Sequence, residues 1–312
     1  MRKWFGIALL VCLAGCGKQA KIVNPLAIDE PDRVLYENAL KQLDRHDYAV
    51  ARELLQTLIS TYQESDYFEK AKYALAESFY REGGRVNLDA AEAAYKDFII
   101  YFRDSELADD AQMMVAMTQI KRVQSPDRDN TAAQLAELEL REMINSYPDS
   151  DLLEEAKQKL REVQEVLAAG SAGIASQYFK SKNLPASIDR FKEIESKWPD
   201  YSKMDAVLYY HAESLRLTEN PEASGKLYAE VVSDYPTSSF VKLATQRLME
   251  LSMPVPPPNP SAARRAAERE KNLIDKTFSV FKSHPTVPAT TSAASVGDKN
   301  GVFTIDSKDS KD

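Results

Sequence analysis

Apolar and small residues recur along this chain in a pattern that predicts paired helices. An aromatic followed by polar residues closes each unit: Tyr62-Gln63-Glu64-Ser65, Phe102-Arg103-Asp104-Ser105, Tyr147-Pro148-Asp149-Ser150, Trp198-Pro199-Asp200-Tyr201 and Tyr235-Pro236-Thr237-Ser238. Eleven residues before each aromatic stands a small side chain (Ala51, Ala91, Ala136, Ser187, Ser224), and seven before it a large one (Leu55, Tyr95, Leu140, Phe191, Tyr228). A small side chain lets two helices approach closely and a large one fills the neighbouring gap. Three columns repeated five times are the mark of a tandem array, in which each unit buries its apolar stripe only by stacking on the next.

The intervals between the aromatics are 40, 45, 51 and 37 residues, so a basic period of 37 carries insertions of 3, 8 and 14. Small residues in the first helix of a unit (Ala39, Ala175, Ala212) precede those of the second by 12. That spacing grows to 15 from Ala76 to Ala91, around Gly83-Gly84, and to 20 from Ala116 to Ala136, around Ser125 to Asn130. The insertion of 14 falls between Tyr147 and Ala175. Fourteen residues make almost four turns, which restores a buried face, so one long helix is predicted from about Asp151 to Lys182. Pro126, Pro148, Pro185, Pro199, Pro221 and Pro236 all fall at predicted junctions, where proline belongs. Phe240 to Leu251, with Val241, Ala244, Leu248 and Leu251 on one face, reads as a capping helix. The fold class predicted is all-α: a right-handed superhelix of about five tetratricopeptide-like hairpins with a C-terminal cap, spanning residues 32–253.

The ends differ from this pattern. Arg2 and Lys3 precede an apolar run from Trp4 to Ala14, too short to span a membrane, which ends in Leu13-Ala14-Gly15-Cys16. That order is a signal peptide, residues 1–15. Small residues before a cysteine have the form of a lipobox, in which Cys16 is acylated and residues 16–31 tether the domain. Gly17, where many enteric lipoproteins use Asp to stay in the inner membrane, points to an outer-membrane anchor. From Pro254 five prolines fall within seven residues, which excludes helix and favours an extended chain. The remainder to residue 312, including a short basic helix within Ala262–Lys282, is predicted mostly disordered.

Composition narrows the chemistry. Both cysteines lie at or before the lipidation site, so thiol catalysis, disulfides and cysteine-based metal sites are excluded for the mature chain. His46, His211 and His284 are far apart, and His211, beside Tyr209-Tyr210, reads as a core or edge residue. A net charge of −8 argues against nucleic-acid binding. Phosphate-loop, His-Glu-x-x-His and nucleophile-elbow motifs are absent, and no cofactor is expected. The chain reads as a binding protein, not an enzyme. Positions three before, one after and four after the small residue of a first helix face the inner side of such an array. Tyr36, Tyr73, Tyr80, Met113 and Met117 occupy them, and either form an apolar groove for a peptide or pack between repeats.

Leu13-Ala14-Gly15-Cys16, the helix with Ala76 and Phe79-Tyr80, Asp127-Arg128-Asp129 before a helix from Thr131, and the long helix after Tyr147-Pro148-Asp149-Ser150 together resemble the BamD family of outer-membrane protein assembly lipoproteins. The long helix leads into Ala175-Ser176-Gln177-Tyr178-Phe179 and Ala186-Ser187-Ile188, as in that family. The resemblance covers roughly Cys16 to Leu251. It implies a non-catalytic subunit of the β-barrel assembly machinery, lipid-anchored at the periplasmic face of the outer membrane. Its N-terminal repeats would receive the targeting segments of unfolded barrel proteins. Its C-terminal repeats would dock on the central barrel subunit through Arg216, alongside other accessory lipoproteins. A periplasmic tetratricopeptide scaffold and a pilotin-like lipoprotein are the alternatives. The former usually has a coiled coil and no lipobox; the latter typically lacks the long helix.

Overall fold

The structure, a computed structural model, describes residues 30–262 apart from 124–128, together with Arg264. The signal, Cys16, nearly all of the tether, Pro126, Asp127-Arg128 and the chain beyond Arg264 lie outside the described residues. Among the described residues every regular element is a helix: α1 (Pro31–Asp44), α2 (Tyr48–Thr61), α3 (Phe68–Glu82), α4 (Arg85–Tyr101), α5 (Ala108–Ile120), α6 (Thr131–Ser146), α7 (Leu153–Lys180), α8 (Leu184–Lys197), α9 (Met204–Leu217), α10 (Pro221–Asp234) and α11 (Val241–Glu250). The long helix and the capping helix stand where the insertion length and the apolar face predict them. No described helix is long and apolar enough to cross a membrane.

The repeated columns are contact positions. Ala51, Ala91, Ala136, Ser187 and Ser224 have no exposed surface, and Leu55, Tyr95, Leu140, Phe191 and Tyr228 are equally buried. Each closing aromatic is the C-cap of its helix. The N–H groups of Tyr62, Phe102, Tyr147, Trp198 and Tyr235 donate to the carbonyls of Leu58, Phe98, Met143, Ile194 and Val231. Their φ values of −122°, −124°, −127°, −134° and −126° then turn the chain out of the helix.

A second recurring device follows the aromatic. Ser65, Ser150 and Ser238 accept an N–H two residues on through Oγ. Each donates its hydroxyl at 2.6 Å to an aspartate in the first turn of its own unit's first helix: Asp32, Asp109 and Asp205. One hydroxyl thus fixes the turn and places a carboxylate at a helix N-terminus, where the macrodipole favours it. The units with the basic spacing of 12 share a tight turn as well. His46, Lys182 and Glu219 adopt φ near +60°. The next N–H, of Asp47, Asn183 or Asn220, reaches back to Gln42, Tyr178 or Leu215, which closes a Schellman turn.

The chain divides into two compact units, one ending at Ser78 and one starting at Phe79. In the first, α1 and α2 pack with the start of α3 around Tyr36, Ala39, Leu43, Ala51, Leu55, Leu58, Ala71 and Ala74. In the second, each helix from α4 onward packs on the next. Two cores form there, and α7 serves both. Its Ala156, Val163 and Leu167 join α5 and α6, while Ala168 and Ala175 join α8, α9 and α10. Trp198 is packed against both cores. The 14-residue insertion is therefore what lets one helix belong to two neighbouring hydrophobic clusters.

Packing continues past residue 253, the domain end expected from the proline run. Residues 254–259 form no helix, as their prolines require, and the chain touches α10 on either side of the proline run, at Met253 and Asn259. The Asn259 N–H donates to the Ser233 carbonyl at 2.8 Å and its Nδ2 to Asp234 at 3.0 Å. Met253 sits so close over Gly225 that a Cβ there would lie 1.9 Å from the Met253 sulfur. The packed domain extends to Ala262, which is buried.

Candidate interaction sites

In the first unit, Tyr36 and Tyr73 are 6% and 2% exposed. The Tyr36 ring lies 5.3 Å from that of Tyr67. Burial, with the charge of Glu77 next to it, pushes the Tyr36 hydroxyl up to about 12. In the second unit, Tyr80 and Met113 are buried and Met117 is half-buried. Lys121 fixes Tyr80 from above: its Nζ is 4.4 Å from the ring centroid and donates to the Tyr80 carbonyl at 2.8 Å. Of the five residues expected in the groove, four are buried and only Met117 presents appreciable surface.

The reason lies in α5. Its residues Ala111 to Ala116 are all buried, so the helix is enclosed on every side. The polar groups caught in it are satisfied internally. Gln112 Nε2 donates to both the carbonyl and the carboxylate of Glu139, and Thr118 Oγ1 donates to Met114. Asp110 is an exception: burial, helped by the neighbouring Asp109, pushes its carboxyl up to about 6.

Arg216 is an embedded cation. Its side chain is 29% exposed, and Nη2 donates at 2.7 Å to Glu213, whose own side chain is 8% exposed. The Glu213 carboxylate also accepts Tyr228 OH at 2.6 Å and Arg247 Nε at 2.7 Å. Burial raises the Glu213 carboxyl, but the donors Arg216, Tyr228 and Arg247 outweigh it and hold the group below its usual range. Arg216 Nε is buried with no hydrogen-bond partner. A sequence reading could have found the Glu213–Arg216 pair from its i,i+3 spacing. Arg247 comes from α11 and carries no such signal.

His211 is a core residue, as its sequence context predicts. It is 3% exposed, stacks on Phe191, and pairs Nδ1 with Glu195 at 2.6 Å. No group of three or more potential metal ligands gathers among the described residues.

The second unit also carries an open cleft of about 570 Å³ between α6 and α8, over the middle of α7. Gln134, Glu137 and Arg141 line one side, Arg190, Glu193, Lys197 and Trp198 the other, and Leu167, Ser171 and Ile174 the floor.

Known proteins are similar to this chain in sequence. The BamD outer membrane protein assembly factor of Vibrio cholerae is 25% identical over 205 residues, covering 62% of this chain and 82% of the relative. That of Caulobacter vibrioides is 23% identical over 218 residues, 70% of each protein. The BamD of Neisseria gonorrhoeae is 20% identical, covering 77% of this chain and 92% of its own length. Among solved structures, the TPR2AB domain of yeast Sti1 in its pHSP90 complex aligns over 79% of this chain at 10% identity and a TM-score of 0.37. The outer membrane lipoprotein family YfiO matches residues 28–228, more than half of the sequence. The chain belongs to the YfiO family of outer membrane lipoproteins.

Proposed function

We propose that this protein is a non-catalytic subunit of the machinery that assembles β-barrel proteins into the outer membrane, anchored at the periplasmic face through lipid on Cys16. One observation carries the reading: relatives matching 62–77% of the chain are outer membrane protein assembly factors, and the match runs through the repeats. The chain offers packed helix hairpins and surface ion pairs, which suit it to holding other polypeptides.

The work is divided along the chain. The N-terminal repeats receive targeting segments of unfolded barrel proteins, with Tyr36 and Tyr73 as packed support in the first unit and, separately, Tyr80 and Met113 with the half-buried Met117 in the second. The C-terminal repeats dock on the central barrel subunit through Arg216, whose guanidinium is anchored on the buried Glu213 carboxylate while 29% of its side chain stays exposed. Other accessory lipoproteins bind the same assembly.

Affinity isolation from detergent-solubilised outer membranes tests this reading. The largest co-purifying protein should be an integral β-barrel with periplasmic domains. A secretin, or a division-complex protein, in that place would overturn it in favour of a pilotin or a scaffold. Independently, Cys16→Ser should abolish fatty-acid labelling and membrane retention, and a labelled, membrane-bound variant would refute the anchor.

A further inference from the structure

The cleft between α6 and α8 lies over the middle of α7, and its charges are layered. The cations stand outward, with Arg141, Arg190 and Lys197 side chains 52%, 43% and 57% exposed. The anions that hold them lie lower: Glu137 is 20% exposed and Glu193 28%. Glu193 accepts from both Arg190 and Lys197, so three cations share two carboxylates. Below them the floor combines the buried Leu167 with Ser171 and with Ile174, which is 42% exposed, and Trp198 is half-buried at the edge. A cationic rim over a floor that offers one exposed isoleucine and a tryptophan edge fits a short extended segment with a few apolar side chains and a carboxylate.

We propose that the occupant is this chain's own segment Val302–Asp306. Its sequence is Val302-Phe303-Thr304-Ile305-Asp306, with Asp298-Lys299 before it and Lys308-Asp309 after it, so Asp306 is the carboxylate without an adjacent cation. Val, Phe, Thr and Ile favour an extended backbone, and Phe303 and Ile305 supply apolar side chains for the floor. Asp306 meets the Arg190–Lys197 side of the rim. The described chain runs back over α10 before it continues toward this segment. Glu195 of α8, the helix that forms one wall of the cleft, is among the charges felt by Glu230 of α10. From Arg264 to Val302 the chain is roughly 40 residues long, with a root-mean-square reach of about 35 Å if flexible. Tethering on that scale gives a local concentration of up to about millimolar, far above that of a comparable segment on another molecule.

Trp198 reports on the cleft directly, because the other tryptophan, Trp4, is removed with the signal. In the full-length mature protein, Phe303→Ser with Ile305→Ser should about double acrylamide quenching of Trp198, with an unchanged helical circular-dichroism spectrum and thermal midpoint. Arg190→Gln and Asp306→Asn should each raise quenching partway, and the two together should do no more than the stronger single change. A synthetic peptide of residues 298–309 should restore protection to the Phe303→Ser/Ile305→Ser protein. Unchanged quenching in that variant overturns the proposal. So does full additivity of Arg190→Gln and Asp306→Asn, or a failure of the peptide to restore protection. If the cleft instead serves an acidic segment of another protein, wild type and variant would be quenched alike, and that result too rejects the tail as occupant.

Discussion

Arg247, on the helix that closes the array, donates its Nε to the buried carboxylate of Glu213 in the preceding repeat at 2.7 Å. This contact turns the capping helix into part of the last repeat's polar core. The same carboxylate holds Arg216 and Tyr228, so one acidic group orders three elements, α9, α10 and α11. Because its carboxyl is held low by these donors, it stabilises the fold above the ordinary glutamate range, and the contribution fades as pH falls through the depressed value.

Glu213→Ala leaves two guanidinium groups and a phenol without their acceptor. Breaking a buried pair on one side costs about 3 kcal/mol, the lower end of the usual range, because both arginines keep some contact with water. Thermal denaturation should show the loss at neutral pH and a shrinking difference as pH falls through the depressed value, where wild type loses the charge too. A constant difference across pH would mean that packing, not the carboxylate, is responsible.

Asp110 obeys the opposite sign. Its carboxyl is pushed up to about 6 in the folded protein against 3.8 for an ordinary aspartate. The folded state therefore binds more protons between these values, and stability falls as pH rises through that window. Asp110→Asn should raise the melting midpoint at pH 7.5 and leave it nearly unchanged at pH 4. An equal gain at both values would show that ionisation is not involved.

Gly225 lies within α10, where alanine would ordinarily add about 1 kcal/mol of helix propensity. Here the added methyl collides with the sulfur of Met253, so that side chain must shift from its place over α10. Gly225→Ala should destabilise by about 1 kcal/mol net, since overpacking costs about 1–3 kcal/mol, and should speed amide exchange at Asn259. Adding Met253→Ala should reverse both effects. A neutral single variant with unchanged exchange would show that Met253 rotates away freely.

The repeat architecture was legible because it rests on local spacing. Ala136 and Leu140, like Ala51 and Leu55, are one helical turn apart and read the same in sequence and in the packed core. The length of α7 followed from arithmetic on Tyr147 and Ala175. The serine in each closing motif was visible as a letter, but its bond to Asp32, Asp109 or Asp205 spans 33 or 41 residues, and no periodicity reports such a pair. The groove residues were the weakest inference. Position on a helix gives the direction of a side chain but not what covers it, and α5 is enclosed all round, so Met113 faces protein. Arg216 reads as a surface cation from its place near the end of α9, while the carboxylate that embeds it needed the fold.

That embedding decides how docking through Arg216 should be tested. A reversal to glutamate would set a carboxylate against Glu213, and the repeat would come apart before any partner was consulted. Arg216→Lys is the cleaner change. A lysine ammonium can still reach the Glu213 carboxylate, but it lacks the planar guanidinium fork that a partner carboxylate would engage. The melting midpoint should move by no more than about 2 °C, since most of the Glu213 cluster persists. Co-purification with the central barrel subunit should fall at least about tenfold, the loss of one good charge-assisted contact. Met117→Ala, at a half-buried position, should leave that co-purification intact and weaken binding of a barrel-protein targeting peptide. If Arg216→Lys co-purifies normally, the docking surface lies elsewhere on the C-terminal repeats.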